Sequence, residues 1–452
     1  MHVTLVIPPV PYMISDKVFP PLGILYVASF LRSAKQEVQV LDLTGQKDWK
    51  DILVSACGSC HSHPDVIALT CTTPDFPQAL QMLSIIKDAN PAIRVAIGGP
   101  HPTVAPTLCT MFDTVVGGDG WDEGWLNYKG IYTSKMLDDF DSAPFPARDL
   151  IDMKSYHYKI AGREATSVMS QLGCPYGCVF CCGRDLKEYR KMRLRSVPNI
   201  MQELDSLHEE YGYNAFMFFD DEVNIINEHI LSLCRSIKDR GYRWRGFIKA
   251  NLFTEQQAQV MAEAGCYELC TGVESGSLRI LQVIQKATTP EINKKFVELC
   301  RKYGIRSKCF TIVGLPSATL EDEMMTKQWL IDAAPDEFDV TVNTPYPGAP
   351  EFDHREKFDL EFSIDYSKDV AMYKGIPGNL KSFVRTSALS FEDLSRLRDE
   401  IDRDARKALN RPPPAMRFGE GDYDHSMGQG LEVYQGVAPE VAKKLKEFYG
   451  LK

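Results

Sequence analysis

Cys174, Cys178 and Cys181 place three thiols in one short segment, Gly173-Cys-Pro-Tyr-Gly-Cys178-Val-Phe-Cys181, with the spacing C-x3-C-x2-C. Glycines at 173 and 177 let such a loop fold back on itself, and thiolates are soft ligands suited to zinc or iron–sulfur chemistry. Three is the informative number. Structural zinc takes four protein ligands, whereas an iron–sulfur cluster held by three cysteines leaves one iron open to a substrate or cofactor. On spacing alone, a zinc knuckle completed by Cys182 or by a distant cysteine stays open.

The rest of the composition narrows the setting. The chain has 452 residues, 44% hydrophobic and 25% charged, as expected of two or three folded domains. Lys and Arg total 51 against 61 Asp and Glu, a net charge of −10, which argues against a broad nucleic-acid-binding face. No stretch approaches the roughly 18 apolar residues of a spanning helix, and the N-terminus carries no export-signal pattern, so a cytoplasmic protein with no membrane partner is expected. Thirteen cysteines then read as reduced thiols or metal ligands. Cys57, Cys60, Cys71 and Cys109 lack the dispersed spacing of an auxiliary cluster and are expected to be free thiols.

The elements that must carry these residues follow from hydrophobic periodicity. Strands over Val3–Ile7, Val38–Leu41, Val66–Thr70, Arg94–Ile97 and Thr114–Val116 alternate with helices over Leu22–Leu31, Trp49–Ala56 and Pro77–Ala89. This is the pattern of a Rossmann-like, doubly wound parallel sheet, whose ligands bind beyond the carboxyl ends of the strands. The Asp138-to-Pro146 stretch reads as an extended linker. From Thr166 the alternation resumes: helices over 197–211, 227–240, 254–264, 289–303 and 319–334, and strands over 215–219, 245–249, 267–273, 307–313 and 337–342. Six βα-type units give a partial (β/α)6 barrel, so the fold class is α/β. The expected domains are 1–128, a linker over 129–164, the partial barrel over 165–345, and a mostly helical, substrate-facing extension over 346–452 with helices near 391–410 and 438–449.

Cys174, Cys178 and Cys181, with aromatic Phe180 before the last cysteine, resemble the signature of radical S-adenosylmethionine (SAM) enzymes. The resemblance implies a [4Fe-4S] cluster whose open iron chelates the amino and carboxylate groups of SAM, and whose one-electron reduction yields a 5′-deoxyadenosyl radical. It implies SAM contacts from Phe180, from Asp220 and Asp221 to the methionine amino group, from Asn251 in Lys249-Ala-Asn251, from Glu274 and Ser275 to the ribose, and from Gly314 to the adenine. Asp221 as a helix N-cap, and Gly314-Leu-Pro316 as a plain turn, are the bland alternatives.

Phe19-Pro-Pro-Leu-Gly23, Gly98-Gly-Pro-His-Pro-Thr103 and Gly117-Gly-Asp-Gly120 resemble the cobalamin-binding domain that precedes the barrel in class B radical SAM proteins. Cobalamin contacts are then implied at Pro21, Leu22, Gly23, Thr70, Thr72, Thr73, Gly98, Gly99, His101, Thr103, Gly117, Gly118, Asp119 and Gly120. The D-x-H-x-x-G motif is absent after the first strand, where Pro8-Pro-Val-Pro-Tyr12 stands, so base-off cobalamin without a lower axial histidine is implied. Trp121 stands where many relatives have a carboxylate, and an indole there is expected to reshape the pocket. A Rossmann-like module that has lost its ligand remains the alternative for this domain.

The resemblance as a whole implies a cobalamin-dependent radical SAM methyltransferase acting on an unactivated carbon of a small molecule or natural product, with phosphorus as a rarer acceptor. Tyr346 and Tyr373 are candidates to line the substrate pocket, and flavodoxin or ferredoxin would donate electrons. A non-methylating cyclase, rearrangement enzyme or oxidase on the same scaffold, and an iron–sulfur sensor without turnover, are the rival readings. A tRNA-modifying enzyme is disfavoured by the acidic balance.

Overall fold

The computed structural model describes residues 1–10, 17–58, 63–184, 186–364 and 381–411. Tyr373, Cys60 and the expected helix at 438–449 lie outside them. The described backbone falls into two compact units, Met1–Tyr156 with 363–364, and His157–Phe362 with 381–411.

In the first unit, strands β1 (His2–Ile7), β2 (Glu37–Asp42), β3 (Val66–Thr70), β4 (Arg94–Gly98), β5 (Thr114–Gly117) and β6 (Gly130–Thr133) alternate with helices α1 (Leu22–Ser33), α2 (Trp49–Ala56), α3 (Phe76–Ala89) and α4 (Pro100–Val104). All pairings are parallel, in the order β2-β1-β3-β4-β5-β6. The central strands are apolar on both faces because helices cover both; β1 buries Val3, Leu5, Val6 and Ile7. At the edge, β2 alternates in burial instead. Strand order reverses between β1 and β3, so the crevice for a ligand opens at their carboxyl ends. Residues 130–133, inside the stretch expected to be a linker, form the sixth strand.

Trp121 packs inward. It is 8% exposed and packs in an aromatic cluster, its ring 5.4 Å from Phe30, 5.1 Å from Tyr26 and 5.5 Å from Phe140. The indole gains more from this apolar contact than from solvent.

The second unit begins with β7 (Lys159–Ile160), antiparallel to β8 (Arg163–Val168), followed by β9 (Gln171–Leu172), α5 (Lys187–Arg190) and β10 (Arg193–Leu194). Then come α6 (Val197–Tyr211), β11 (Ala215–Phe218), α7 (Asn227–Ile237), β12 (Arg243–Phe247), α8 (Glu255–Glu263), β13 (Cys266–Glu274), α9 (Leu278–Val283), α10 (Pro290–Tyr303), β14 (Arg306–Val313), α11 (Leu320–Ala333) and β15 (Glu337–Val342). The large sheet runs β15-β14-β13-β12-β11-β8-β7, with six parallel strands and open edges, which is a half-barrel. After β15, α12 (Pro350–Asp353), the hairpin pair β16 (Glu361–Phe362) and β17 (Val384–Arg385), and α13 (Phe391–Ala408) complete the described chain.

The helices start and stop on capping chemistry. Ser196 caps α6 and Thr289 caps α10, Thr319 and Asp322 form a capping box on α11, and Gly212 and Gly304 end α6 and α10 in the left-handed conformation. Near the amino-terminal half of the strands, Arg245 pairs with Glu268 at 2.9 Å, Arg306 with Glu268 at 3.5 Å, and Lys308 with Asp339 at 3.2 Å. This ionic layer lies among β12, β13, β14 and β15, away from the strand ends that carry the cysteine loop.

Candidate functional site

The cysteine loop starts one turn past β8 and is held open by backbone contacts that only glycine allows. Gly173 has φ +90°, and a Cβ there would overlap the main chain of Lys191. Gly183, with φ +77°, lies against the Tyr189 ring. Cys174 N–H donates to Tyr189 O at 3.0 Å, Val179 N–H to Ile284 O at 3.1 Å and Gly183 N–H to Gly348 O at 2.7 Å, so the loop is fastened at both ends and in the middle.

All three candidate ligands are free thiols, Cys178 buried and Cys174 and Cys181 half-buried. Burial pushes the Cys174 thiol up and that of Cys181 up to about 12, so only a bound cation or cluster would draw out the thiolates at neutral pH. Cys182 is turned elsewhere: it donates to Pro347 O at 3.2 Å, and burial pushes it up to about 11. Among the described residues no three His, Cys, Asp or Glu side chains converge on one point, as a single zinc ion would require. Three thiols on one short loop, with Cys182 turned away as a fourth, have the chemistry of a donor set for a cluster bound through three irons.

Around the thiols stand side chains of both signs from the carboxyl ends of the same strands. Asp220, at the end of β11, is 2% exposed and spends its carboxylate on Ser170 N–H at 2.7 Å, Gln171 N–H at 3.2 Å and the Ser170 hydroxyl. Burial outweighs those bonds and pushes its carboxyl up to about 7. It therefore braces the chain leading into the cysteine loop and has little left for an ammonium group. Asp221 and Glu222 are better placed for one. Asp221 is open to solvent yet ringed by protein, which pushes its carboxyl up. It is not a helix cap, since α7 begins only at Asn227. Glu222 Oε2 is buried without a hydrogen-bond partner, and burial pushes that carboxyl up to about 7. An unsatisfied buried carboxylate facing a cluster loop is what a ligand ammonium would complete.

The other expected SAM residues occupy the same rim. Phe180 packs beside Val179, Ile284 and Leu315. Asn251 is exposed and bonds to Tyr176 of the cysteine loop. Glu274 ends β13 at φ +62° and accepts from Lys286 Nζ at 2.7 Å. Ser275 lies 3.2 Å from the Thr326 hydroxyl, which ties it to α11. Gly314, at φ +82°, donates to buried Glu323 at 2.9 Å, and a Cβ there would meet Leu394 of α13 at 2.8 Å. Tyr346 is half-buried just beyond β15 and turns the chain by accepting from Ala349 N–H at 3.0 Å. Sequence reasoning did not single out Glu222, Arg184 or Lys286 as site residues. Only the run of three acids at 220–222 gave a signal, and it could not say which acid stays free.

At the first unit's carboxyl edge, three glycine-bearing loops meet. Gly23 has nothing within 4 Å of where a Cβ would project, and Thr72 is exposed. Gly99 (φ +106°) approaches Cys71 O so closely that a Cβ would stand 2.9 Å away, and Gly118 (φ +84°) would bring one to 2.8 Å from Ser134 Oγ. Thr103 links these loops, donating to Gly99 O at 2.7 Å and accepting from Gly118 N–H at 3.1 Å. Gly120 N–H donates to Ser134 Oγ at 2.9 Å. Pro21 and Leu22 start α1 beneath Gly23, and Thr70, Gly98 and Gly117 close β3, β4 and β5 beside Thr73 and Asp119. The bare, half-exposed rim has the thin walls that a large ligand needs.

His101 faces inward. It is fully buried, its Nδ1 lies 3.1 Å from the Thr73 hydroxyl and its ring 4.4 Å from that of Phe76. Burial pushes its pKa down to about 3, so it stays neutral, and its Nε2 is buried without a hydrogen-bond partner. Cys57, Cys71 and Cys109 are buried free thiols.

The family model of the radical SAM superfamily matches residues 168–330, and that of the B12 binding domain matches residues 15–123. An uncharacterized methyltransferase of Pyrococcus horikoshii is 30% identical over 405 residues, covering 81% of this chain and 86% of its own length. The chain belongs to the radical SAM enzymes that carry a B12-binding domain. The anaerobic magnesium-protoporphyrin IX monomethyl ester cyclase of Rubrivivax gelatinosus, 24% identical, covers 79% of this chain and 71% of its own length. The structure of the radical SAM methyltransferase TsrM from Kitasatospora setae, which holds cobalamin and a [4Fe-4S] cluster, shares the fold at 18% identity, with a TM-score of 0.61 over 80% of each chain. In this radical SAM enzyme the matched superfamily segment spans β8 to α11, and the B12-binding segment spans all three glycine-bearing loops. Among the described residues, no helix is long and apolar enough to cross a membrane.

Proposed function

We propose that this enzyme transfers a methyl group from SAM, by way of cobalamin, to an unactivated carbon of a small-molecule or natural-product substrate, with phosphorus as a rarer acceptor. The observation that carries the reading is the loop of three free thiols beside the buried, unpartnered Oε2 of Glu222, in a chain that also carries a glycine-lined B12-binding edge. When bound, the cluster with SAM supplies a 5′-deoxyadenosyl radical and the corrin carries the methyl group.

The chain's own residues do the positioning. Cys174, Cys178 and Cys181 hold the cluster, and Asp220 fixes the approach to them through Ser170 and Gln171. Asp221 and Glu222 receive the SAM ammonium. Glu274, set at a positive φ by the bulge at the end of β13 and paired with Lys286, would accept from the ribose hydroxyls, while Phe180, Asn251, Ser275 and Gly314 would complete the SAM contacts. On the other edge, Pro21, Leu22, Gly23, Thr70, Thr72, Thr73, Gly98, Gly99, Thr103, Gly117, Gly118, Asp119 and Gly120 take the corrin and its tail. The enclosure of His101 supports base-off cobalamin without a histidine below the metal. Tyr346 borders the substrate, and a flavodoxin or ferredoxin in a cytoplasmic, reducing setting supplies electrons.

The likeness to the Rubrivivax cyclase favours one second reading, a radical reaction without methyl transfer. Product analysis separates them. Protein reconstituted anaerobically with iron, sulfide and cobalamin, given SAM and dithionite, is expected to yield both S-adenosylhomocysteine and 5′-deoxyadenosine, the former only when cobalamin is bound. 5′-Deoxyadenosine alone would favour the non-methylating reading.

A further inference from the structure

Three basic side chains bracket the cysteine loop, and the function proposed above uses none of them. Arg184, 6% exposed, donates to Cys174 O at 2.8 Å and lies close enough for its charge to act on all three thiols. Lys286, 8% exposed, acts on Cys178 and Cys181. Lys249, 3% exposed, stands 4.2 Å over the Tyr176 ring and acts on Cys174 and Cys178. An ion pair with Glu274 alone would not require this arrangement, because a lysine could reach that carboxylate from relaxed backbone.

The backbone around Lys286 is not relaxed. Its two neighbours, Gln285 at φ 54° and Ala287 at φ 55°, are both left-handed without being glycine. A left-handed residue just past a helix is common, but a second one two positions on, Ala287, persists only where the surroundings over-determine it, and outliers of this kind cluster at functional sites. Gln285 ends α9 in the usual way, with Gln285 N–H on Gln282 O at 3.1 Å and Lys286 N–H on Leu281 O at 3.0 Å, and the cysteine loop fastens the turn that follows. Val179 N–H donates to Ile284 O at 3.1 Å and the Cys178 thiol reaches Gln285 O at 3.8 Å. From the other side, Lys249 Nζ donates to Lys286 O at 2.9 Å. The strain therefore holds one ammonium group against the cluster's cysteines.

A thiolate-held cluster is anionic and becomes more so when it takes an electron. Fixed positive charge in dry surroundings stabilises the reduced form, and net charge and hydrogen bonding are recognised determinants of such potentials. We propose that Lys286, positioned by its strained turn and by Lys249, acts with Arg184 to raise the reduction potential of the cluster into the range of a flavodoxin- or ferredoxin-class one-electron donor. One electron passes from donor to cluster, and no bond forms or breaks in that step. The proposal rests on the three-cysteine cluster assignment.

The test uses the full-length protein, reconstituted anaerobically with iron and sulfide and kept free of SAM, in a redox titration followed by electron paramagnetic resonance. Lys286→Met is expected to lower the reduced-to-oxidised ratio at a given potential by about tenfold, a fall of about 59 mV for a one-electron couple. Lys286→Arg recovers most of that loss, and Lys249→Met shows part of it. SAM binding, measured separately by equilibrium dialysis, identifies a different role. Wild-type potentials in Lys286→Met and Lys249→Met, with or without weakened SAM binding, would overturn the proposal and leave Lys286 as a SAM contact or a counter-ion to Glu274. If Lys286→Met assembles no cluster, Lys249→Met decides, and a wild-type potential there overturns it. Failure of the wild-type chain to form a [4Fe-4S] cluster would instead refute the underlying assignment.

Discussion

Asp220 shows how a site can depend on a residue whose carboxylate is spent on the chain itself. Its carboxylate holds Ser170 and Gln171, just upstream of Gly173 and the cysteines. Asp220→Ala leaves those buried donors unsatisfied and is expected to cost about 1–3 kcal/mol in denaturant unfolding and to lower iron retained per chain. Unchanged stability and iron content would show that the loop is braced elsewhere. Buried acids also set a pH dependence. Burial pushes Glu323 and Glu351 from an ordinary 4.5 up to about 8, while Asp220 and Glu222 rise to about 7. The folded state then keeps protons that the unfolded chain has lost, so stability falls as pH rises from about 4.5 to 8. Glu323→Gln/Glu351→Gln is expected to flatten that fall in urea unfolding at pH 5 and pH 8; an unaltered slope would contradict it. The cysteines were legible because their spacing is chemistry in itself. Lys286 was not, since nothing in Gln285-Lys-Ala287 announces that the turn after α9 is fastened to the cysteine loop through Ile284 O.

At the scale of elements, the strands of the half-barrel carry two separate layers. One is the strand-end rim of the site, and the other is the buried charge layer in which Glu268 answers both Arg245 and Arg306. Burial raises the Glu268 carboxyl, but those cations and Lys308 outweigh it and hold it below the usual range. Glu268→Ala strands these cations in the interior and is expected to cost about 3–5 kcal/mol, read from the shift in unfolding midpoint. A cost under about 1 kcal/mol would mean that solvent already screens the layer. Helices such as α6, α10 and α11 were legible nearly to the residue, because Ser196, Thr289 and Thr319 start them and the apolar stripe persists between caps. By contrast, β6 has only four residues, with three exposed and one half-buried, so no alternation of burial marks it. Its strand character comes from pairing with β5.

For the whole molecule, the account assigns metal chemistry to one unit and corrin binding to the other, so each should load by itself. Replacing Cys174, Cys178 and Cys181 with alanine is expected to remove the cluster and leave cobalamin bound. Gly99→Val, whose Cβ would stand 2.9 Å from Cys71 O at a φ of +106°, is expected to do the reverse. Absorbance of bound cobalamin and iron per chain check both, and loss of both cofactors in either variant would show that the two sites are not independent. The order of the two sheets was legible from strand–helix alternation, whereas the aromatic packing of Trp121 was not, since its neighbours Phe30 and Phe140 become adjacent only in the fold. The central claim is that three thiols hold a cluster with one iron open to SAM. Electron paramagnetic resonance of the dithionite-reduced, reconstituted protein, with and without SAM, tests it most directly. The account predicts a [4Fe-4S] signal that SAM perturbs in the wild type and that is lost in Cys178→Ala. A signal that ignores SAM, or that survives the loss of Cys178, would contradict it.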